Sequence, residues 1–215
     1  ITPLVSVNDP MLMVTMPPEV TAESGIDALG HAIESFVSTE ASPITDTLAL
    51  GAVRLILRYL KRAYENGNDL EAREQLMFAA VLAGMAYNNA GVGYSHALGH
   101  QLGGFYSQFH GEYEGILLPH VLVYNAPSVP EGKLRELAEV MGINAGRKTE
   151  ALDRICTSLR KLGTEVGIPD NLTKMGVQQK DLDTLAQNAL KDISGLTNPR
   201  RGTIEDVKNI YLSAM

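Results

Sequence analysis

Apolar residues recur at three- and four-residue spacing along most of the chain, the period of amphipathic helices. Thr21 to Ser38 follows this pattern and is opened by Pro17-Pro18-Glu19, because proline is tolerated in a first helical turn. Gly25 and Gly30 inside it signal close backbone contacts. A second helix is predicted from Ser42-Pro43 to about Glu65, ended by Asn66-Gly67-Asn68. A third is opened by Asp69 and runs from Leu70 to about Asn88. Ala90 to Tyr94 reads as a loop, with Ser95 as the N-cap of a helix carrying His96 and His100. Gly103-Gly104 ends that helix or marks tight packing, and His110-Gly111 begins another that reaches about Asn125. Four more helices are predicted over 131–141, 147–166, 179–191 and 203–214. Residues 1–16 differ: they are apolar and β-branched, with two short strand candidates about the turn Asn8-Asp9-Pro10. With no repeat, low-complexity tract or linker, the pattern predicts an all-α fold: a multi-helix bundle domain over 17–215 with a short β-like N-terminal segment over 1–16.

The 215 residues, 45% hydrophobic and 20% charged, are enough for one sizeable core. A net charge of -7 without a basic face argues against nucleic acid or an anionic membrane as partner. No apolar run approaches the roughly 20 residues that span a bilayer, and no signal peptide is visible. The single cysteine, Cys156, excludes an internal disulfide and sits in a helical pattern, as a packed, inert thiol would. A cytoplasmic location is the expectation. The chain starts at Ile1 on an extended segment, which reads as the continuation of a longer polypeptide.

The chemistry is concentrated in the histidines. Asp27 and His31 are four residues apart, as are His96 and His100, so each pair shares a helix face; His110 follows beyond the Gly-Gly step. Asp27, His31, His96 and His110 could supply one carboxylate oxygen and three imidazole nitrogens to one ion. That set suits Fe(II), Zn(II), Co(II) or Ni(II) better than Mg(II) or Ca(II). The alternative is a set of surface histidines that happen to share faces, which two pairs and a third block in a chain with five histidines make hard to sustain. Ala97 follows His96 where a zinc protease of the His-x-x-x-His type carries its glutamate base, so hydrolysis by that route is not expected. Glu34, three residues after His31, is either a partner that orients a ligand imidazole or a plain surface carboxylate. His120 reads as a packed, hydrogen-bonded histidine. Phe105, Tyr106 and Phe109 are pocket walls or ordinary core aromatics, and Met11, Met13, Met16, Met77 and Met85 core filler.

Longer stretches carry a resemblance. Asn8-Asp9-Pro10, Met16-Pro17, Thr21-Ala22 and Gly25-Ile-Asp27-Ala28-Leu29-x-His31-x-x-Glu34 form the first. Asn88-Asn89-Ala-Gly-Val-Gly, His96-Ala-Leu-Gly-His100-x-Leu-Gly-Gly, Phe109-His110-Gly111 and Leu118-Pro119-His120-Val121 form the second. The tail adds Asn198-Pro199-Arg200, Thr203-x-Glu205-Asp206-Val207 and Ile210-Tyr211-x-x-Ala214-Met215. Together they resemble the iron-containing (group III) alcohol dehydrogenase family over the whole chain.

The resemblance implies the C-terminal helical domain of the dehydroquinate synthase-like, iron-alcohol dehydrogenase fold. It implies that residues 1–16 belong to the edge of an N-terminal NAD(P)-binding domain, absent here; Gly91-x-Gly93 has no strand before it and is not a phosphate loop. It implies Asp27, His31, His96 and His110 as ligands of Fe(II), with Zn(II) the alternative, and His100 as the catalytic residue that relays a proton or positions substrate. The activity implied is interconversion of small primary alcohols or diols and aldehydes, by metal-assisted hydride transfer to NAD or NADP, in a homo-oligomer. The rival readings are an inactive or structural fragment, a three-ligand zinc enzyme like glycerol dehydrogenase, and a dehydroquinate synthase-type lyase. The lyase holds a phosphate with basic residues, and none lies beside these histidines.

Overall fold

The computed structural model describes residues 4–215, and its nine α-helices account for the sequence pattern. They are α1 (Pro18–Val37), α2 (Pro43–Glu65), α3 (Leu70–Ala90), α4 (Tyr94–Phe105), α5 (His110–Asn125), α6 (Glu131–Val140), α7 (Lys148–Glu165), α8 (Leu182–Ala189) and α9 (Ile204–Ser213). Local chemistry sets several of their ends. Ser42 and Thr45 form a capping box that starts α2, and Thr203 with Asp206 does the same for α9. The Asp69 carboxylate accepts from the Ala72 N–H at 3.1 Å and opens α3. The segment predicted as one helix over 179–191 is a 3-10 turn, Gln179–Asp181, leading into α8.

Two sequence expectations are corrected. Among the described residues no strand forms: residues 4–9 are irregular and exposed, and Pro10–Met13 is a 3-10 turn capped by Asp9. A strand needs a neighbour for its N–H and C=O groups, and none of the described residues offers one. Residues 1–3 of that predicted segment lie outside the described residues. Ser95 is not an N-cap either; α4 starts at Tyr94 with Gly93 before it, and no side chain of its own caps it.

The core forms where α1 packs on α2, α3 and α5, and α5 in turn on α4 and α7. Ile26, Leu29, Ile33 and Phe36 line the inward face of α1, meeting Leu60 of α2, Leu98 and Leu102 of α4 and Leu117 of α5 in one buried cluster. Glycines set how closely these helices approach. A Cβ at Gly25 would collide with the Leu60 side chain. At Gly111, in the first turn of α5, a Cβ would collide with the carbonyl of Glu23, one turn ahead of Asp27 on α1. The missing side chain there lets the start of α5 lie against α1, which brings His110 to Asp27. Of the methionines expected in the core, Met77 is buried, but Met11 and Met85 are exposed. Cys156 is buried, and burial pushes its thiol up to about 11, so it is a packed, protonated thiol. No single helix among the described residues is long and apolar enough to cross a membrane.

Candidate metal centre

Three helices bring their polar side chains to one point in this core. Asp27 and His31 come from α1, His96 and His100 from α4, and His110 from the start of α5. The Asp27 carboxylate is at the centre. Its Oδ2 is 3.4 Å from His31 Nδ1, and its Oδ1 is 3.6 Å from His96 Nε2 and 3.5 Å from His110 Nε2. The His31 and His96 rings lie 4.4 Å apart between centroids, and Tyr87 of α3 stacks on the outer face of His31 at 4.3 Å. The four residues the sequence suggested as ligands thus meet around Asp27, in two overlapping groups that share His96: Asp27, His31 and His96, and His96, His110 and Glu114. His100 is beside them rather than among them: its ring stacks on His110 at 5.1 Å, and its Nδ1 faces Asp192 at 2.9 Å.

These separations fit a bound divalent ion. Bonds of about 2.0–2.2 Å to nitrogen and oxygen hold neighbouring ligand atoms about 3.0–3.5 Å apart. Asp27 Oδ1 and His96 Nε2 are buried and hydrogen-bonded to nothing. Two such atoms converging without a partner would be costly in a plain core. Charge points the same way. Asp27, Glu34 and Glu114 gather around His96, and no Lys or Arg among the described residues pairs with any of them. A divalent ion would be matched by acidic neighbours there.

Glu34, left open between two roles by the sequence, is buried and works at the start of α4. Its Oε2 accepts from the Gly93 N–H at 2.9 Å and Oε1 from the Ser95 N–H at 2.6 Å, so it takes the place Ser95 was expected to fill. Oε2 also lies 2.7 Å from His96 Nδ1. An oxygen that already accepts backbone N–H groups makes Nδ1 the donor, which leaves Nε2 as the ring atom facing Asp27, able to ligate once it is free of its proton. Gly93 makes the arrangement possible, since a Cβ there would be 2.9 Å from Glu34 Oε1 and 2.8 Å from Asn198 Oδ1. The Gly91-x-Gly93 turn therefore receives an anion, but the anion is the protein's own carboxylate.

Sequence reasoning missed two acids. Glu114 is fully buried under Gly30 and Gly99, 3.4 Å from His96 Nδ1 and 3.8 Å from His110 Nε2. Its four-residue spacing from His110 was the available signal. Asp192, in the loop after α8, had none. It accepts from the Ser194 N–H at 2.9 Å and from Gln101 Nε2 at 3.1 Å, besides facing His100. Burial alone would raise the Asp192 carboxyl, but the Ser194 N–H and His100 outweigh it and hold it low. Phe105 and Phe109 are half-exposed and not core; Tyr106 instead donates to Asp181 at 2.6 Å. His120 is remote, half-buried and bonded to Ser213 at 2.9 Å, the packed histidine expected. Burial pushes it down to about 4.

The imidazoles differ in protonation. Burial, with repulsion from His96, pushes His31 down to about 4, and burial lowers His110 too. Both are neutral donors near pH 7. Burial would also lower His96, but Glu114, Asp27 and Glu34 outweigh it and raise that imidazole well above its ordinary value. Burial raises Glu114 as well, to about 8, so at neutral pH the His96–Glu114 pair holds a proton that His96 must be free of to ligate. Uptake of Zn(II) at pH 7 is expected to release protons from the His96–Glu114 pair, with affinity falling as the pH is lowered. His31 adds to this loss only near pH 4. Calorimetry in buffers of different ionisation enthalpy measures the proton count; binding at pH 7 without release would contradict the assignment.

A profile of the Fe-containing alcohol dehydrogenase family, C-terminal, matches residues 21–215. The 1,3-propanediol dehydrogenase of Klebsiella pneumoniae is 44% identical over 214 residues, 99% of this chain and 55% of that protein. The NAD-dependent methanol dehydrogenase of Bacillus methanolicus is 40% identical over 217 residues, 100% of this chain and 57% of that protein. The solved structure of an alcohol dehydrogenase from Oenococcus oeni superposes with a TM-score of 0.96 at 41% identity, covering 99% of this chain and 56% of that one. The chain spans about half the length of the curated relatives it matches.

Proposed function

The chain belongs to the iron-containing alcohol dehydrogenase family, whose C-terminal part it matches, and from that premise we propose that it is the metal-binding half of an enzyme interconverting small primary alcohols or diols with aldehydes. The observation that supports this most is the convergence of Asp27 Oδ1 and His96 Nε2, buried and unpaired, with His31 and His110. In this reading Asp27, His31, His96 and His110 hold Fe(II), or Zn(II) in its place, and the hydride acceptor is NAD or NADP carried by a nucleotide-binding part N-terminal to these helices. The printed names of relatives, a propanediol and an NAD-dependent methanol dehydrogenase, support small alcohols and that cofactor.

The ion, when bound, supplies a Lewis acid that lowers the pKa of the alcohol and favours the alkoxide. The chain does the rest. Asp27 offers negative charge at the centre of the site. Glu34 fixes the orientation of the His96 ring through Nδ1. Tyr87, stacked on His31, covers that flank of the site. His100, outside the ligand set but stacked on His110, takes the proton released from the alcohol.

The test is His100→Ala in the full-length enzyme. Metal content is expected to stay at wild-type level while kcat falls by about 10²–10⁴-fold, the range for removal of a positioned acid-base group. Loss of the metal would mean that the roles of His96 and His100 are exchanged. Unchanged turnover would remove His100 from the chemistry.

A further inference from the structure

His100 is the half-exposed member of the cluster, yet its ring is not free to turn. Its Nδ1 lies 2.9 Å from Asp192 Oδ2, which also accepts from Gln101 Nε2, the neighbouring side chain on α4. The other oxygen of Asp192 accepts from the Ser194 N–H at 2.9 Å, at the start of the 3-10 turn Ile193–Thr197. Every partner of Asp192 named here is a donor, and a carboxylate has only lone pairs to offer them. Nδ1 of neutral His100 must then carry its hydrogen. The lone pair falls on Nε2, at the ring edge away from Asp192, in a ring already stacked on His110.

We propose that Asp192 is the positioning residue for His100, fixing the Nδ1–H tautomer so that Nε2 is the atom that accepts the alcohol's proton. This rests on the reading of His100 as proton carrier given above. A loop beyond α8, distant in sequence from the histidines, thereby sets which nitrogen faces the chemistry.

Asparagine and alanine at position 192 separate this role from a structural one. In Asp192→Asn the amide oxygen is held by the Ser194 N–H, so the amide NH₂ takes the place of Oδ2. It can only donate to His100, which forces the hydrogen onto Nε2 and removes the acceptor. In Asp192→Ala the ring keeps a choice of tautomers. A merely structural role predicts that the alanine variant is at least as impaired as the asparagine one; the tautomer role predicts the reverse.

The first readout needs no turnover: long-range ¹H–¹⁵N spectra of the Zn(II)-loaded, ¹⁵N-histidine-labelled chain at pH 8, with His100 assigned through His100→Gln. The wild type is expected to show Nδ1–H at His100, and Asp192→Asn to show Nε2–H. In the full-length enzyme, Asp192→Asn is expected to lower kcat by about 100-fold, with a smaller loss in Asp192→Ala and KM and metal content unchanged in both. Nε2–H in the wild type, or an alanine variant as slow as the asparagine one, would overturn the proposal. Wild-type turnover in Asp192→Asn while His100→Ala is impaired would overturn it alone; full turnover in His100→Ala would overturn the underlying reading with it.

Discussion

The His96→Ala chain is expected to retain no divalent ion through anaerobic purification and to lose about 3–5 kcal/mol of stability. The first effect follows from geometry. His96 Nε2 is, with Asp27 Oδ1 and the two oxygens of Glu114, one of four buried, unpaired atoms in the site, and no other side chain aims at that point from α4, because His100 turns to Asp192. Removing even a partner that only orients a ligand costs about 10–100-fold in metal affinity, and removing the ligand costs more. The second effect follows from charge. The His96 ring lies between Asp27, Glu34 and Glu114, two of which are almost wholly buried. Without the ring, those carboxylates face one another across a dry cavity. Metal content by mass spectrometry and urea unfolding of the ion-free protein check the two effects separately. Wild-type metal content would remove His96 from the ligand set.

Glu34→Ala is expected to destabilise the chain by about 3–5 kcal/mol even with no metal present, because one buried side chain makes four hydrogen bonds. Its oxygens take the N–H groups of Gly93, Ser95 and His96 at the start of α4, and they hold His96 Nδ1. Alanine leaves those donors buried and unmet, and the start of α4 keeps only Asn198 Oδ1, which accepts from the Tyr94 N–H at 3.1 Å. Glu34→Gln separates the roles. It keeps the volume and one acceptor oxygen, so the fold is expected to persist while metal affinity falls about 10–100-fold through the misoriented His96 ring. Urea unfolding with and without Zn(II) reads both; an alanine variant as stable as the wild type would show that α4 does not depend on this carboxylate.

Glu34 also shows where sequence reading stops. Helix starts governed by neighbours in the chain were legible: Ser42 with Thr45, Asp69 with Ala72, Thr203 with Asp206. The start of α4 was not, because its cap comes from a residue 59 positions earlier on another helix. The strand candidates in the leading segment failed for a related reason. Alternation and β-branching describe what a strand looks like, but pairing requires a partner, and residues 4–9 have none among the described residues.

The site divides in the same way. Asp27 with His31 and His96 with His100 declared themselves by four-residue spacing, and that spacing made a shared face predictable. It did not say which member of the second pair turns inward. The structure separates them: His96 points to Asp27, and His100 points to Asp192 across 92 residues of sequence. Glu114 carried the same local signal beside His110 and was overlooked. Nothing local could have shown that Gly111 has to be a glycine for α5 to reach α1, or that Gly93 makes room for a carboxylate.

If three helices of this chain hold one divalent ion, the ion travels with the chain through purification. The measurement that tests this most directly is the metal content of the wild-type chain, purified anaerobically with Fe(II) and Zn(II) supplied, beside His31→Ala prepared in the same way. About one ion per chain in the wild type and none in the variant is the result the convergence on Asp27 predicts. No retained ion in the wild type, or an equal content in the two proteins, would contradict it.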